Sequence, residues 1–306
     1  MKVFVLKISV FLILIFLSTV VRSQSIMSFV TLPPDARSLA LGGATTALSP
    51  DSFSALRNPA QLVFLKGRVG AGYGYMPWMK DLHADLDLHV ATACLKIEHK
   101  QAVSVSCRYF SHMESEWTDD QGNVLGIIEP RDVALDFSYS RMIIRNLTGA
   151  ITGRYISSYT GLGETMQAIA VDAAFLYRHV CSDKFVLSAG MHVSNVGCWS
   201  SDEISLPWNI RVGGSLDFVP SRNHSITVTT DVVSTKFQSV AGCVGMEYEF
   251  FKLLAFRCGY HWSEQHYGSV GVGIHWKYLA VDLGYVVAPQ HSVLHKTWML
   301  STGIYW

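Results

Sequence analysis

Ala280-Val281-Asp282-Leu283-Gly284-Tyr285-Val286-Val287, near the end of a 306-residue chain, is the stretch whose reading decides the fold. Successive side chains of an extended backbone point to opposite faces. Val281, Leu283, Tyr285 and Val287 therefore share one face, and Ala280, Asp282, Gly284 and Val286 share the other. The first face is continuously apolar. The second mixes small residues with a carboxylate. Helical stripes spaced three and four apart are absent across this part of the chain.

The pattern repeats outward from there. Trp298, Leu300, Thr302, Ile304 and Trp306 oppose Met299, Ser301, Gly303 and Tyr305. Upstream, Ile210, Val212, Leu216 and Phe218 oppose Asn209, Arg211, Ser215 and Asp217. Ile169, Val171, Ala173, Phe175 and Tyr177 oppose Ala170, Asp172, Ala174 and Arg178, and Val133, Leu135, Phe137 and Tyr139 oppose Ala134, Asp136, Ser138 and Ser140. Marking every such run predicts fourteen strands, near 68–75, 84–98, 101–111, 132–144, 147–157, 167–180, 184–194, 208–218, 224–235, 239–250, 252–262, 268–277, 278–288 and 297–306. An even number of strands of this length suits a tilted crossing of a bilayer. The connections alternate as well. Those around 76–83, 112–131, 158–166, 195–207 and 289–296 are long, while those at 99–100, 145–146, 181–183 and 251 are tight and none separates 277 from 278. Long loops on one rim and tight turns on the other are the layout of an outer-membrane barrel, and the terminal aromatic Trp306 on an alternating strand agrees with it. The fold class read here is all-β: a transmembrane antiparallel β-barrel of about fourteen strands.

Composition narrows the function. Hydrophobic residues make up 49% of the chain and charged residues only 16%, with 24 basic and 24 acidic side chains. Soluble domains carry about 25% charge. Net neutrality excludes a basic nucleic-acid face, and the apolar fraction excludes disorder. Lys2 and Lys7 precede the apolar run Ile8 to Val21, and Val21-Arg22-Ser23 offers a cleavage site before Gln24, so residues 1–23 read as an export signal. The 283 residues that follow carry 21 basic and 24 acidic groups. The six cysteines have no CxxC or zinc-ligand spacing and read as small hydrophobes, so neither a metal nor a cofactor is expected. No GxSxG or HExxH occurs, and the glycines at 213–214 and at 271 and 273 precede no helix that would cradle phosphate. His83 and His89, near Asp85 and Asp87, are split between a loop and a strand face. An enzyme is not expected.

If the apolar faces meet lipid, the opposite faces line the lumen. They place Arg108, Arg154, Arg178, Arg211 and Arg257 there, with Asp87, Asp136, Asp172, Asp217, Asp231, Glu247 and Asp282. Near-balanced charge of both signs predicts mutual pairing and a filled lumen, because unpaired buried charge is costly. An ion-selective pore would favour one sign. Residues 24–67 lack strand alternation. They hold Arg37, Gly42-Gly43 and Asn58-Pro59, small and turn-forming residues suited to packing as a hatch in the barrel mouth, or alternatively to a periplasmic tail. The expected organisation is a signal peptide at 1–23, a hatch or periplasmic segment at 24–67 and an outer-membrane barrel at 68–306.

An Ala-Arg…Gly-Gly-Ala stretch, Asp51 and Asn58-Pro59-Ala60 ahead of the first strand resemble the FadL-like outer-membrane proteins. Within that superfamily, Pro34-Asp35-Ala36-Arg37, Ser49-Pro50-Asp51, Tyr75-Met76-Pro77-Trp78, Arg108-Tyr109-Phe110-Ser111 and Ala134-Leu135-Asp136-Phe137-Ser138-Tyr139-Ser140-Arg141 resemble the PorV/PorQ family of the type IX secretion system, and PorV more closely. The resemblance implies a non-enzymatic barrel with an N-terminal hatch. Its partners would be outer-membrane lipid, translocon or attachment-complex proteins and the C-terminal signal domains of cargo. Loop contacts would make the binding surface, which points to Met76, Trp78 and Met79 in the first long loop, Trp117 in the second and Trp199 in the fourth. The competing reading of such residues is the aromatic girdle at the lipid interface, favoured for Trp208. The alternative function is a FadL-type uptake channel for hydrophobic small molecules.

Overall fold

In the computed structural model the alternating runs form one closed antiparallel barrel. The structure describes residues 28–306 apart from 79–85, 200–205 and positions 99, 120, 122, 162, 164, 237, 265, 290, 291 and 293. In chain order the strands are β1 (Val69–Trp78), β2 (Leu86–Ile97), β3 (Gln101–Ser111), β4 (Ser115–Thr118), β5 (Val124–Ile128), β6 (Arg131–Ile144), β7 (Leu147–Tyr159), β8 (Thr165–Ser182), β9 (Phe185–Trp199), β10 (Asn209–Ser221), β11 (His224–Thr235), β12 (Ala241–Phe250), β13 (Leu254–Trp262), β14 (Tyr267–Trp276), β15 (Leu279–Val287) and β16 (Trp298–Tyr305). Fourteen of them, β1–β3 and β6–β16, make the ring, which closes where β1 pairs with β16 from Gly70↔Tyr305 to Tyr75↔Leu300. Closure leaves no unpaired edge in the bilayer. The remaining two, β4 and β5, pair only with each other in the long β3–β6 connection. The sequence reading treats that connection as a loop.

Burial follows the predicted alternation. On β13 Ala255 and Arg257 are buried while Phe256 is exposed, and on β15 Asp282 and Val286 are buried while Val281, Leu283 and Tyr285 are exposed. The exposed series is the lipid face. The register breaks between β8 and β9, where Asn195 takes φ +60° as the extra residue of a bulge.

Residues 28–65 lie inside the ring. Helix Ala36–Ala40 begins at Asp35, whose carboxylate accepts the Ser38 amide at 3.2 Å and the Ser38 hydroxyl at 2.5 Å. Helix Ser54–Arg57 and the 3₁₀ segment Pro59–Phe64 follow. Asn58 caps the latter by accepting the Ala60 amide at 3.1 Å, and Pro59 sits at its first position, where its missing N–H costs nothing. Small inward residues of the wall make room for this segment. A Cβ on Gly259 or on Gly190 would collide with the backbone of Leu41 or Thr46. Gly42 (φ +65°) and Gly43 (φ +84°) turn the chain in a conformation that side chains disfavour.

Candidate functional site

The inner half of the site is a layer of charge. Arg154 donates to Asp136 at 2.6 Å and to Asp172 at 2.9 Å, and Arg108 adds a contact to Asp136 at 3.3 Å. Arg257 bridges Glu247 (2.5 Å) and Asp282 (2.6 Å). Arg211 reaches Asp231 at 3.4 Å, and Arg178 lies 3.8 Å from Asp217. Eleven of the twelve residues expected to face the lumen do so and fall into these pairs and clusters. Asp87 is the exception. On β2 it is Leu88 and Val90 that are buried inward, so Asp87 and His89 lie on the outer wall, where the Tyr75 hydroxyl donates to Asp87 at 2.7 Å. The reason is local: the lumen beside this end of β2 is apolar and takes the aliphatic face.

The N-terminal segment completes the charge layer. Arg37 donates to both oxygens of Glu247 at 2.9 and 2.7 Å and to Asp51 at 2.9 Å. Glu247 is thereby held between two guanidiniums contributed by separate parts of the chain. Burial alone would raise the Asp51 carboxyl, but Arg57 and Arg37 outweigh it and hold the group well below the usual carboxylate range. Asp231 accepts the Thr45 and Thr46 amides (2.8 and 3.0 Å) and the Thr46 hydroxyl (2.7 Å). The Ser140 hydroxyl donates to the Pro59 carbonyl at 2.7 Å, Thr148 to that of Ala60 at 2.8 Å, and Asn58 to that of Thr46 at 2.8 Å. Wall hydroxyls of this kind, and the wall glycines, are site residues that the sequence reading leaves out. Their signal is an inward position occupied by Ser, Thr or Gly, which means nothing until the partner segment is in place.

Above the charges, toward the rim with the long connections, the lumen is apolar. Phe29 and Val30 of the N-terminal segment and Leu206 of the β9–β10 connection pack there with Met76, Leu88, Val90, Phe110 and Ile156. Three loop assignments are corrected by the strand pairing. Met76 and Trp78 belong to β1, which runs three residues further than its predicted end; Met76 is fully buried, and Trp78 packs partly buried against the apolar cluster. Trp199 is also a strand residue, at the end of β9 opposite Ala168. Met79 lies outside the described residues.

Trp117 differs from these. It lies on β4, in the hairpin that leaves the rim, and is 53% exposed. Its hairpin neighbours Val124, Leu125 and Ile127 are 54, 55 and 66% exposed. The register pairs Glu116 with Ile127 and Trp117 with Gly126, so these side chains fall on opposite faces of the ribbon. Both faces thus show large apolar groups, and the two outer edges have no strand partner among the described residues.

A family model described as "Type IX secretion system protein PorV" matches residues 20–238. No curated protein matches the sequence. Among solved structures, the Pseudomonas putida toluene transporter TodX aligns with a TM-score of 0.60 at 10% identity, over 89% of this chain and 98% of that one. The Ralstonia pickettii toluene transporter TbuX aligns at 0.58 and 12% identity, over 89% and 98%. A Pseudomonas aeruginosa FadL homologue aligns at 0.53 and 11%, over 90% and 99%. At such identities these likenesses concern the fold, a FadL-like barrel.

Proposed function

Since the chain belongs to the PorV family of type IX secretion system proteins and is an outer-membrane β-barrel, we propose that it works through its outer rim, as a docking component that receives cargo signal domains or a neighbouring secretion subunit. In this reading the long connections face outward, both ends of the mature chain lie in the periplasm, and the N-terminal segment is a hatch. The observation that carries the proposal is the β4–β5 hairpin: Trp117, Leu125 and Ile127 stand exposed beyond the strands that meet lipid. Large apolar groups left in water mark contact surfaces, and interface aromatics contribute about 2 kcal/mol or more when truncated. No covalent chemistry is asked of the protein. The buried pairs beneath the rim support a structural lumen.

The test is a titration of a cargo C-terminal signal domain against the purified barrel. Trp117→Ala combined with Ile127→Ala should leave the barrel folded and heat-modifiable on gels while weakening capture at least about tenfold, roughly 1.4 kcal/mol. Unchanged affinity moves the binding surface away from the hairpin.

One observation favours a second reading, uptake of hydrophobic small molecules. The apolar cluster of Phe29, Val90, Phe110 and Ile156 lines the outer lumen of a chain whose fold neighbours include toluene transporters. Saturable toluene binding that Val90→Asp abolishes would support that reading.

A further inference from the structure

The six short turns of the barrel each carry one exposed cation. Lys100 lies in the β2–β3 turn, Arg145 in β6–β7, Lys184 in β8–β9, Arg222 in β10–β11, Lys252 in β12–β13 and Lys277 in β14–β15. At the remaining position round the ring, the seam between β1 and β16, Arg68 is exposed beside Trp306. Against these cations the six turns hold two carboxylates, Glu98 and Asp183. None of the six turn side chains forms an ion pair among the described residues.

Among the described residues, the opposite rim has the opposite sign. Its exposed charges include Glu114, Glu116, Glu129 and Glu264 against Arg131 and Lys296. The difference is therefore one between two ends of the molecule and not a general surplus of lysine. Lys252 and Lys277 occupy φ +53° and +51°, as Glu98 and Phe251 do at +55° and +53°, the left-handed conformation that turns this tight require. Aromatic residues stand at the same level: Phe251, Trp276, Tyr278 and Trp306 are all exposed there. Such rings sit at the headgroup boundary of a bilayer.

We propose that the short-turn rim is an anionic-phospholipid belt, with the turn cations gripping headgroup phosphates of the periplasmic leaflet. Long basic side chains at this depth extend their charged ends to the headgroups, and clustered Lys and Arg recruit anionic lipid. The occupant is a lipid because the charges are spread evenly round the circumference, where a bilayer surrounds the barrel. A protein partner would meet one side. The proposal rests on the orientation given above, with the long connections outward, and not on the docking role.

The test uses the full mature chain in nanodiscs of phosphatidylethanolamine and phosphatidylglycerol at four to one, with native mass spectrometry counting the lipids that stay bound. The expected result is retention of phosphatidylglycerol at least about threefold above its bulk share, falling as salt rises from 50 to 500 mM because screening weakens exposed charge pairs. Arg145→Gln, Lys184→Gln, Arg222→Gln and Lys252→Gln together should return the ratio to bulk, whereas Glu114→Gln with Glu116→Gln should not change it. If the quadruple variant does not fold, the salt series on the unaltered chain decides. Bulk-ratio retention by the unaltered chain, enrichment indifferent to salt, or full enrichment in the folded quadruple variant would each overturn the proposal.

Discussion

Leu88 and Val90 of β2 are wholly buried, whereas Leu125 and Ile127 of β5 are more than half exposed, although all four are aliphatic residues on strands near the same rim. What separates them is cover. The inner face of β2 packs in one cluster with Phe29 and Val30 of the N-terminal segment and Phe110 of β3. The hairpin has two strands and no third layer, and two strands alone cannot bury a face. Apolar character thus stabilises the fold in the lumen and is left over for contact on the hairpin.

That comparison predicts a graded response to substitution. The largest effect belongs to Glu247→Ala, which leaves Arg37 and Arg257 facing each other without the carboxylate they share. Breaking a buried pair costs about 3–5 kcal/mol, to be read as a lowered urea midpoint of the purified barrel. Next is Gly259→Val, whose side chain meets the Leu41 backbone. Overpacking of about 1–3 kcal/mol should push residues 28–65 out of the lumen, seen as new protease cleavage there while the strands remain resistant. Smaller still, Ser140→Ala removes the hydroxyl bonded to the Pro59 carbonyl and should cost about 1 kcal/mol. Trp117→Ala should move the urea midpoint least, within about 0.5 kcal/mol. A hairpin change as damaging as Glu247→Ala would erase the distinction between the two regions.

Much of this was legible in the sequence, for a physical reason. Every ring strand has one face toward lipid, so period two is imposed over nine or more residues nearly everywhere. The β13 to β15 stretch can be read residue by residue. The hairpin escaped because nothing buries either of its faces: Val124-Leu125-Gly126-Ile127-Ile128 is apolar at adjacent positions and shows no alternation. Asp87 departs from the expected face because near the rim β2 turns its polar side chains, Asp87 and His89, outward and its aliphatic ones, Leu88 and Val90, inward, so polarity alone points to the wrong face there. Pro77 interrupts the alternation two residues after Tyr75, so the sequence pattern ends β1 at 75 and leaves Met76 and Trp78 in a loop; β1 continues through it and pairs Pro77 with Asp87. The charge pairs were legible as a set, but not which residue met which. Glu247 and Arg37 lie 210 positions apart, and only the folded N-terminal segment brings them together.

The central claim is that partners meet the rim hairpin and not the lumen. A photo-crosslinking residue placed at Ile127, and separately at Val90, tests it most directly in cells secreting type IX cargo. Irradiation at position 127 should yield an adduct that mass spectrometry identifies as a cargo signal domain or a secretion subunit, and position 90 should yield none. Adducts with those proteins from position 90, with none from position 127, would contradict the account.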